Sequence, residues 1–123
     1  MAGKVVHFTI PIDDPVRALP FYQRAFGWEM SQWGPVDYWS ISCEAGEGIE
    51  GGLSLRSATE PMPVVYVAVE SVDEASRRVV DAGGRLVAER MAIPGTGWIA
   101  RVTDTEGNVL GLFERDAPAW VAD

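Results

Sequence analysis

Apolar and polar positions alternate in short runs along this chain, and two helical patterns interrupt them. Over residues 4–12 the alternation has a period of two, which predicts a β-strand with one apolar face. Asp14 then offers a side-chain cap, and Pro15 suits the first helical position. These residues predict a helix that runs to about Phe26 and is ended by Gly27.

Pro20 conflicts with the middle of this helix. A proline beyond the first turn removes a backbone hydrogen bond and clashes with the turn before it. The pattern therefore allows two interpretations: the helix starts late, near Leu19, or it kinks at Pro20.

The remaining runs are strand-like, apart from a second helical pattern. Ser71, with Glu74 three residues later, forms a capping box that predicts a helix to about Ala82. The segment 57–63 is polar and interrupted by prolines, so it predicts a linker. The predicted strands are residues 28–33, 37–43, 52–56, 64–69, 85–90, 98–103 and 109–114.

The two halves of the chain repeat one unit. Residues 7–27 align with residues 64–84 at a constant offset of 57, with glycine at the end of each helix. Further along, Trp39 aligns with Trp98 at an offset of 59. Each half therefore predicts a βαβββ module. We expect an α+β fold in which the modules pair into a curved, roughly eight-stranded mixed sheet around a cleft, with the helices outside.

The length of the chain favours one shared core. A module of roughly 60 residues seldom buries enough apolar surface to be stable alone. We therefore expect residues 1–123 to form a single domain. Module 1 covers about residues 4–57, the linker residues 57–63, and module 2 about residues 64–116. The cleft would then be the ligand site.

Composition narrows the choice of partners. The net charge is −8 and the pI is about 4.5, so the chain lacks the basic surface that nucleic-acid binding requires. Its N-terminal residues lack the long apolar run of a signal peptide or a membrane span. The single cysteine, Cys43, excludes an internal disulfide and is expected to be a packed thiol. We therefore expect a cytoplasmic protein with no membrane partner.

Several segments, taken in order, carry a family resemblance. They are His7-Phe-Thr-Ile-Pro-Ile-Asp-Asp-Pro15, Phe21-Tyr-Gln-Arg-Ala-Phe-Gly-Trp28, Gly97-Trp98 and Asp104-Thr-Glu-Gly-Asn-Val-Leu-Gly-Leu-Phe-Glu114. With them the chain resembles the vicinal oxygen chelate superfamily, which includes glyoxalase I, extradiol dioxygenases, methylmalonyl-CoA epimerase, and fosfomycin and bleomycin resistance proteins. The resemblance spans nearly the whole chain, and it implies the paired-module fold predicted above.

The resemblance also implies a metal site, most of which is missing from this sequence. Metal-dependent members hold a divalent ion with side chains on the first and last strand of each module, and the ion stabilises an enolate or alkoxide. His7 matches the first of these positions. The other three positions are Val64, Gly52 and Gly111, which offer no side-chain ligand. We therefore expect no metal cofactor.

Two carboxylates keep a metal-dependent alternative open. Glu50 lies two residues before Gly52 and should face the same side of its strand. Glu114 lies three residues past Gly111, so it should face the opposite side unless a bulge turns it inward. The alternative site would hold Ni, Zn, Mn or Fe between His7, Glu50 and Glu114.

Without a metal, His7 and Tyr66 form the candidate acid–base pair. Tyr66 is the repeat equivalent of Thr9, so it should point into the same cleft as His7. An imidazole that titrates near neutral pH can act as a general base or acid. The other interpretation makes His7 a structural residue that is hydrogen-bonded to Thr9 or Tyr66.

Aromatic residues indicate further ligand contacts. The chain has five tryptophans, and Trp39 and Trp98 occupy equivalent strands of the repeat. They could bind a ligand in the cleft together with Thr9 and Glu50, or they could pack in the core. Trp120 is expected to dock on a partner subunit, because members of the family that the chain resembles often form homodimers.

Three functions are open at this point. The first is binding of a small organic molecule in an aromatic-lined cleft without a catalytic metal. The second is a lyase, isomerase or dioxygenase of the glyoxalase type that uses a divalent metal. The third is a resistance protein that sequesters a drug, and a net charge of −8 would favour a cationic drug. The sequence leaves open whether any reaction is catalysed.

Overall fold

The structure, a computed structural model, describes residues 3–42 and 48–116, and within them the chain forms eight strands and two helices. Neither of these helices is long and apolar enough to span a membrane. The predictions for Cys43 and Trp120 fall outside the described residues. The first half contains β1 (Val5–Ile12), α1 (Pro15–Phe26), β2 (Glu29–Gln32), β3 (Tyr38–Ser42) and β4 (Glu50–Leu55). The second half contains β5 (Val64–Ala68), α2 (Val72–Asp81), β6 (Arg85–Ile93), β7 (Gly97–Thr103) and β8 (Val109–Arg115).

The order of these elements confirms the α+β class and the two βαβββ modules. The chain divides into two compact units. The first unit is His7–Pro63, and the second unit joins Met1–Val6 to Val64–Asp123. The predicted linker, residues 57–63, thus belongs to the first unit. The single shared domain stays a prediction.

Each unit contains four strands in the same order. In the first unit the order is β2-β3-β4-β1, with β1 parallel to β4 and the other neighbours antiparallel. In the second unit the order is β6-β7-β8-β5, with only β5 and β8 parallel. Thr9 lies opposite Gly52, and their repeat equivalents Tyr66 and Gly111 lie opposite each other. The internal duplication therefore extends to the register of the strands.

Helix α1 begins and ends where the sequence predicts. Asp14 accepts a hydrogen bond from the N–H of Val16 at 3.0 Å, and Gly27 ends the helix with a φ of 73°. The helix continues through Pro20, so the predicted late start near Leu19 is wrong. Pro20 is tolerated because the carbonyl that loses its partner belongs to Val16, which is exposed to water.

Helix α2 starts at its predicted capping box. The Ser71 hydroxyl accepts a hydrogen bond from the N–H of Glu74 at 3.2 Å. Strand β6 is longer than the predicted 85–90, because its pairing with β7 continues to Ile93, opposite Gly97. The boundaries of the other strands lie within two residues of their predicted positions.

One face of the strands in each unit packs against the helix of that unit. Because side chains alternate along a strand, these two packed cores also determine which residues point away from the helices. The core of the first unit consists of Ile12, Trp39 and Leu53, with Ala18, Leu19 and Tyr22 of α1 against it. The core of the second unit consists of Val72, Ala75, Ala100, Val102 and Leu112.

Candidate functional site

The strand face of the first unit that points away from α1 is lined by polar side chains. His7 and Thr9 share this face on β1, and His7 lies directly opposite Glu50 of β4. Glu50 therefore faces the same side as Gly52, as the alternation predicts. We call this surface the polar face. It comprises His7, Thr9, Tyr38, Ser40, Glu50, Ser54 and, from the chain that follows β4, Glu60.

His7 is hydrogen-bonded to Tyr38 on the polar face. The His7 Nε2 atom lies 3.1 Å from the Tyr38 hydroxyl, in partly buried surroundings. Burial lowers the pKa of His7 below its ordinary 6.5, although the charges of Glu50 and Glu60 act in the opposite direction. His7 is therefore mostly neutral at pH 7, and a neutral imidazole can accept a proton.

Tyr38 is the matching proton donor. Burial, together with the nearby charges of Glu60 and Glu50, raises the pKa of Tyr38 to about 12. The phenol thus keeps its proton at neutral pH and can donate a hydrogen bond to His7 or to a bound molecule. Tyr38 was not among the predicted site residues, because only the register between β3 and β4 brings it to the polar face.

A buried carboxylate completes the polar face. Glu60 is only 5 % exposed, although it lies in the segment predicted to be a linker. The Ser54 hydroxyl donates to its carboxylate at 3.2 Å, and the Ser57 hydroxyl accepts from its backbone N–H at 3.2 Å. Carboxylates are seldom buried without such partners. The one signal in the sequence was that Glu60 is the single charged residue between positions 57 and 63.

Thr9 brings a buried hydroxyl to this face. The side chain is 4 % exposed, and its Oγ1 atom has no hydrogen-bond partner among the described residues. A buried hydroxyl without a partner destabilises the protein by roughly 1–3 kcal/mol. Such an atom marks a place where a bound molecule or a water could supply the missing bond.

Tyrosine rings occupy the space beside two glycines that the family resemblance singles out. A Cβ atom added to Gly52 would overlap the hydroxyl end of Tyr38. A Cβ atom added to Gly111 would overlap the ring of Tyr66. While these rings keep their positions, neither glycine can be replaced by a residue with a carboxylate side chain.

Tyr66, the predicted partner of His7, is bonded within its own unit. Its hydroxyl accepts a hydrogen bond from Nε of Arg101 at 3.2 Å, and the residue is 3 % exposed. Tyr66 belongs to the second unit and His7 to the first. The His7–Tyr66 pair therefore stays a prediction, whereas the bond between His7 and Tyr38 lies within one unit.

The structure places the predicted tryptophan ligands in the cores. Trp39 is buried with Ile12 on the side of the strands that faces α1, away from the polar face. Trp98 packs against the core of the second unit, and its Nε1–H donates to Asp116 at 3.2 Å. The core-packing interpretation therefore describes both tryptophans. Sequence alternation could not decide this, because large apolar side chains occur on either face of a strand.

Glu114 faces the helix side of its strand, as its three-residue spacing from Gly111 predicts. Its carboxylate accepts a hydrogen bond from the N–H of Val72 at 3.0 Å. Val72 is the first residue of α2, where an acidic group interacts favourably with the unsatisfied N–H groups of the helix. Glu114 is thus engaged at the start of α2, on the opposite side of its strand from Gly111, and its role as a fallback metal ligand stays a prediction.

The titration of His7 gives a direct test of this geometry. We expect its pKa in the folded protein to lie below 6.5, because burial disfavours the imidazolium. The unfolded chain then binds this proton more readily, so folding stability is lost as the pH falls through about 6.5. His7 is the single histidine, so its Cε1–H signal can be followed by NMR without ambiguity.

Two substitutions provide the controls for this titration. Glu50→Gln should lower the pKa of His7 further, because it removes a charge that favours the imidazolium. Tyr38→Phe should leave the pKa below 6.5, because the ring still buries the imidazole. A pKa above 6.5 in the wild-type protein, or a rise in Glu50→Gln, would contradict this account.

Comparison with known proteins identifies the family of this chain. The chain belongs to the Glyoxalase/Bleomycin resistance protein/Dioxygenase superfamily, whose family model matches residues 4–112. The resemblance inferred from the sequence motifs is thereby confirmed. The chain is 29 % identical over 109 residues to proteins named "Putative glyoxylase CFP32" from Mycobacterium bovis and Mycobacterium tuberculosis. The match covers 82 % of this chain and 41 % of those proteins, so the chain spans about two fifths of their length.

Solved structures share the fold at low sequence identity. The chain is similar to methylmalonyl-CoA epimerase from Mycobacterium tuberculosis, with 19 % identity, a TM-score of 0.61 and coverage of 98 % of this chain and 92 % of that one. It is also similar to a superfamily member from Vibrio splendidus 12B01, with 13 % identity, a TM-score of 0.65 and coverage of 93 % and 99 %. At these identities the comparison shows the fold alone.

The side chains present do not fit the divalent metal that many superfamily members use. Within residues 3–42 and 48–116 no three His, Cys, Asp or Glu side chains are grouped so that they could hold an ion. His7 and Glu50 are two oxygen or nitrogen donors, which is fewer than such metals need. The positions where further carboxylates would project, Gly52 and Gly111, lie beside tyrosine rings.

Proposed function

We propose that this chain binds a small organic molecule on the polar face without the help of a catalytic divalent metal. One observation carries the proposal. The two strand positions that hold metal-binding carboxylates in metal-dependent members are Gly52 and Gly111 here, and the rings of Tyr38 and Tyr66 fill the space beside them. Recognition then depends on hydrogen bonds from the polar face itself.

Three neighbouring groups support ligand binding on the polar face. His7 is a proton acceptor at neutral pH, Tyr38 is a proton donor, and Thr9 has a hydroxyl without a partner among the described residues. Together they offer complementary donors and acceptors to a ligand that carries a hydroxyl or carbonyl group. A ligand that bonds Thr9 would also remove the energetic cost of its unpaired hydroxyl.

The bond between His7 and Tyr38 favours a second function, proton transfer on a bound carbonyl compound. His7 would remove a proton from the carbon beside the carbonyl, and the Tyr38 hydroxyl would donate a hydrogen bond to the oxygen that gains negative charge. Structural neighbours of the chain include methylmalonyl-CoA epimerases. Deuterium exchange into small 2-oxo acids, followed by proton NMR in D₂O, tests this reaction. Exchange that persists in His7→Gln would exclude it.

The metal content of the purified protein tests the proposal as a whole. We expect less than stoichiometric metal and no change in melting temperature on adding about 1 mM nickel, zinc, manganese or ferrous iron. A metal present at about a hundred times its Kd would add about 2.7 kcal/mol to the free energy of unfolding, which thermal unfolding detects. Stoichiometric metal that is lost in His7→Ala would overturn the proposal and support the metal-dependent alternative.

The Thr9 hydroxyl, which has no hydrogen-bond partner in the part of the chain that the structure describes, gives a prediction about stability. Thr9→Val keeps the shape of the side chain and removes the hydroxyl. We expect the free energy of unfolding to rise by about 1 kcal/mol, because a buried polar group without a partner disappears. Urea unfolding measures this change, and Thr59→Val, at an exposed hydroxyl bonded to Ser57, is the control that should have little effect. A loss of stability in Thr9→Val would show that its hydroxyl is already satisfied.

The drug-sequestering alternative depends on the net charge of −8. Binding of a cationic drug by long-range attraction should weaken strongly as salt is added. Binding to the polar face through hydrogen bonds should change little with salt. The homodimer and the cytoplasmic location stay predictions.

A further inference from the structure

Trp33 is an exposed tryptophan at the edge of the polar face. It directly follows β2, and its N–H donates to the carbonyl of Tyr38 at 3.0 Å, which extends the pairing of β2 with β3 by one residue. Its indole lies beside the Tyr38 ring, with the ring centres 5.6 Å apart and an angle of 62° between the planes. Trp33 and Tyr38 therefore lie on the same face of the strands, the one that points away from α1.

The exposure of Trp33 is unusual for a side chain of its size. Tryptophan is highly buried on average, because its large ring gains much from leaving water. Trp33 is nevertheless 44 % exposed, although its backbone is fixed by the N–H of Val36, which donates to its carbonyl at 3.0 Å. The same turn is anchored to β4, where the N–H of Leu55 donates to the carbonyl of Asp37 at 3.2 Å. One side of the indole is thus held against Tyr38, and much of the rest is open to solvent.

The polar face has room for a flat group beside this indole. Ser31 of β2 lies opposite Ser40 of β3, which lies opposite Gly52 of β4. Because side chains alternate along a strand, this row points to the same side as Trp33. Ser31 is exposed, Ser40 is partly exposed, and both side chains are too short to cover the indole. The Tyr38 hydroxyl lies over Gly52 at the far end of the row. A ligand on the row can therefore reach the indole and the phenol hydroxyl together.

We propose that Trp33 makes the polar face specific for planar aromatic compounds that carry a carbonyl or hydroxyl group. The aromatic ring of the ligand lies on Ser31 and Ser40 and packs against the indole. Its oxygen lies at the Tyr38 hydroxyl, which can donate to it while accepting from the Nε2–H of His7. Aromatic pairs attract each other by more than the area that they bury, so a saturated ring of similar size binds less tightly. This inference rests on the proposed function, because it names the class of ligand that the polar face takes.

Acetophenone and cyclohexyl methyl ketone are matched probes for this specificity. Both are uncharged, with the same carbonyl group and a similar size, but only acetophenone has a planar aromatic ring. NMR titrations of the full chain follow two signals, the indole N–H of Trp33, assigned by its absence in Trp33→Phe, and the Cε1–H of His7. We expect acetophenone to shift both signals in a saturable manner, and cyclohexyl methyl ketone to bind with at least about threefold lower affinity.

Substitutions test whether Trp33 is the source of this preference. Trp33→Phe should retain a preference for acetophenone, because the aromatic contact remains. Trp33→Leu should bind the two ketones equally, because it keeps an apolar side chain and removes the aromatic ring. Trp28→Phe is the matched control and should behave like the wild type, because Trp28 stacks on Tyr22, which packs on the helix side of the strands. The affinities of all variants are read from the His7 signal.

The two signals separate a failure of this inference from a failure of the proposed function. Equal affinities of the wild-type protein for the two ketones, with a shift of His7, would overturn the inference and leave the proposed function intact. A preference for acetophenone that persists unchanged in Trp33→Leu would also overturn the inference alone. If neither ketone shifts the His7 signal, the inference fails together with the proposed binding of carbonyl compounds. The comparison of the two ketones uses the wild-type protein, so it gives a result even if a variant does not fold.

Discussion

Replacing Gly111 by alanine is expected to lower the free energy of unfolding by about 3 kcal/mol, at the upper end of the usual cost of overpacking. The new methyl group would overlap Tyr66 at Cγ, Cδ2 and Cε2, which lie along one edge of the ring. Tyr66 cannot swing aside, because it is almost fully buried and its hydroxyl is bonded to Arg101. Urea unfolding followed by tryptophan fluorescence measures the change.

A double-mutant cycle identifies Tyr66 as the cause of that loss. In a Tyr66→Leu background the same Gly111→Ala change should cost at least about 1.5 kcal/mol less, because the smaller side chain leaves room for the methyl group. Gly51→Ala is the matched control. Its methyl group would meet only the far end of the Phe8 ring, and partly buried Phe8 can move. Equal losses in the presence and absence of Tyr66 would show that the ring does not fill this space.

The elements of the fold could be predicted because their signals are local. The cap at Asp14, the left-handed glycine at Gly27 and the capping box at Ser71 each act within a few residues, and all three are present in the structure. The side of the strand on which Glu114 lies could be predicted for a similar reason, because side chains alternate regularly over a few residues of a strand. Pro20 shows the limit, since water can solvate the carbonyl that it leaves without a partner.

The candidate site could be predicted only in part, because its contacts join residues that are distant in sequence. His7 and Glu50 were found through the family resemblance and strand alternation, and they lie opposite each other. Tyr38 meets His7 because β3 pairs with β4 and β4 with β1, which no pattern around residue 38 encodes. Glu60 is buried because the chain after β4 folds back to Ser54. The sequence of this segment gives only one sign of this, that Glu60 is its single charged residue.

In both units a tyrosine ring fills the space beside the glycine at the family's carboxylate position, but the two tyrosines come from different places in the repeat. Thr9 and Tyr66 are repeat equivalents, and each lies opposite a glycine. In the second unit Tyr66 itself covers Gly111. In the first unit Thr9 is small, and Tyr38 reaches over Gly52 from the other side. The residues at equivalent positions thus differ, but in both units a carboxylate side chain in place of the glycine would overlap a tyrosine ring.

Changing both Gly52 and Tyr38 is expected to create a nickel site in the first unit. Gly52→Glu combined with Tyr38→Ala restores a carboxylate at the family position and removes the ring that occupies its space. His7, Glu50 and the new carboxylate would then offer three donors on one face. We expect at least about tenfold tighter nickel binding than in the wild type, which corresponds to about 1.4 kcal/mol for the added ligand.

Gly52→Glu alone should bind nickel more weakly than the double variant, because the new side chain must displace the Tyr38 hydroxyl and break its bond to His7. Isothermal titration calorimetry and the shift of melting temperature with nickel measure both variants. Gly52→Gln with Tyr38→Ala is the matched control, since it has the same shape without the charged donor. Equally tight nickel binding by the single and the double variant would show that Tyr38 does not obstruct the new carboxylate side chain. Nickel binding by the double variant that is no tighter than in the wild type would contradict this prediction. It would show that the missing carboxylate and the Tyr38 ring do not account for the absence of a metal site on this face.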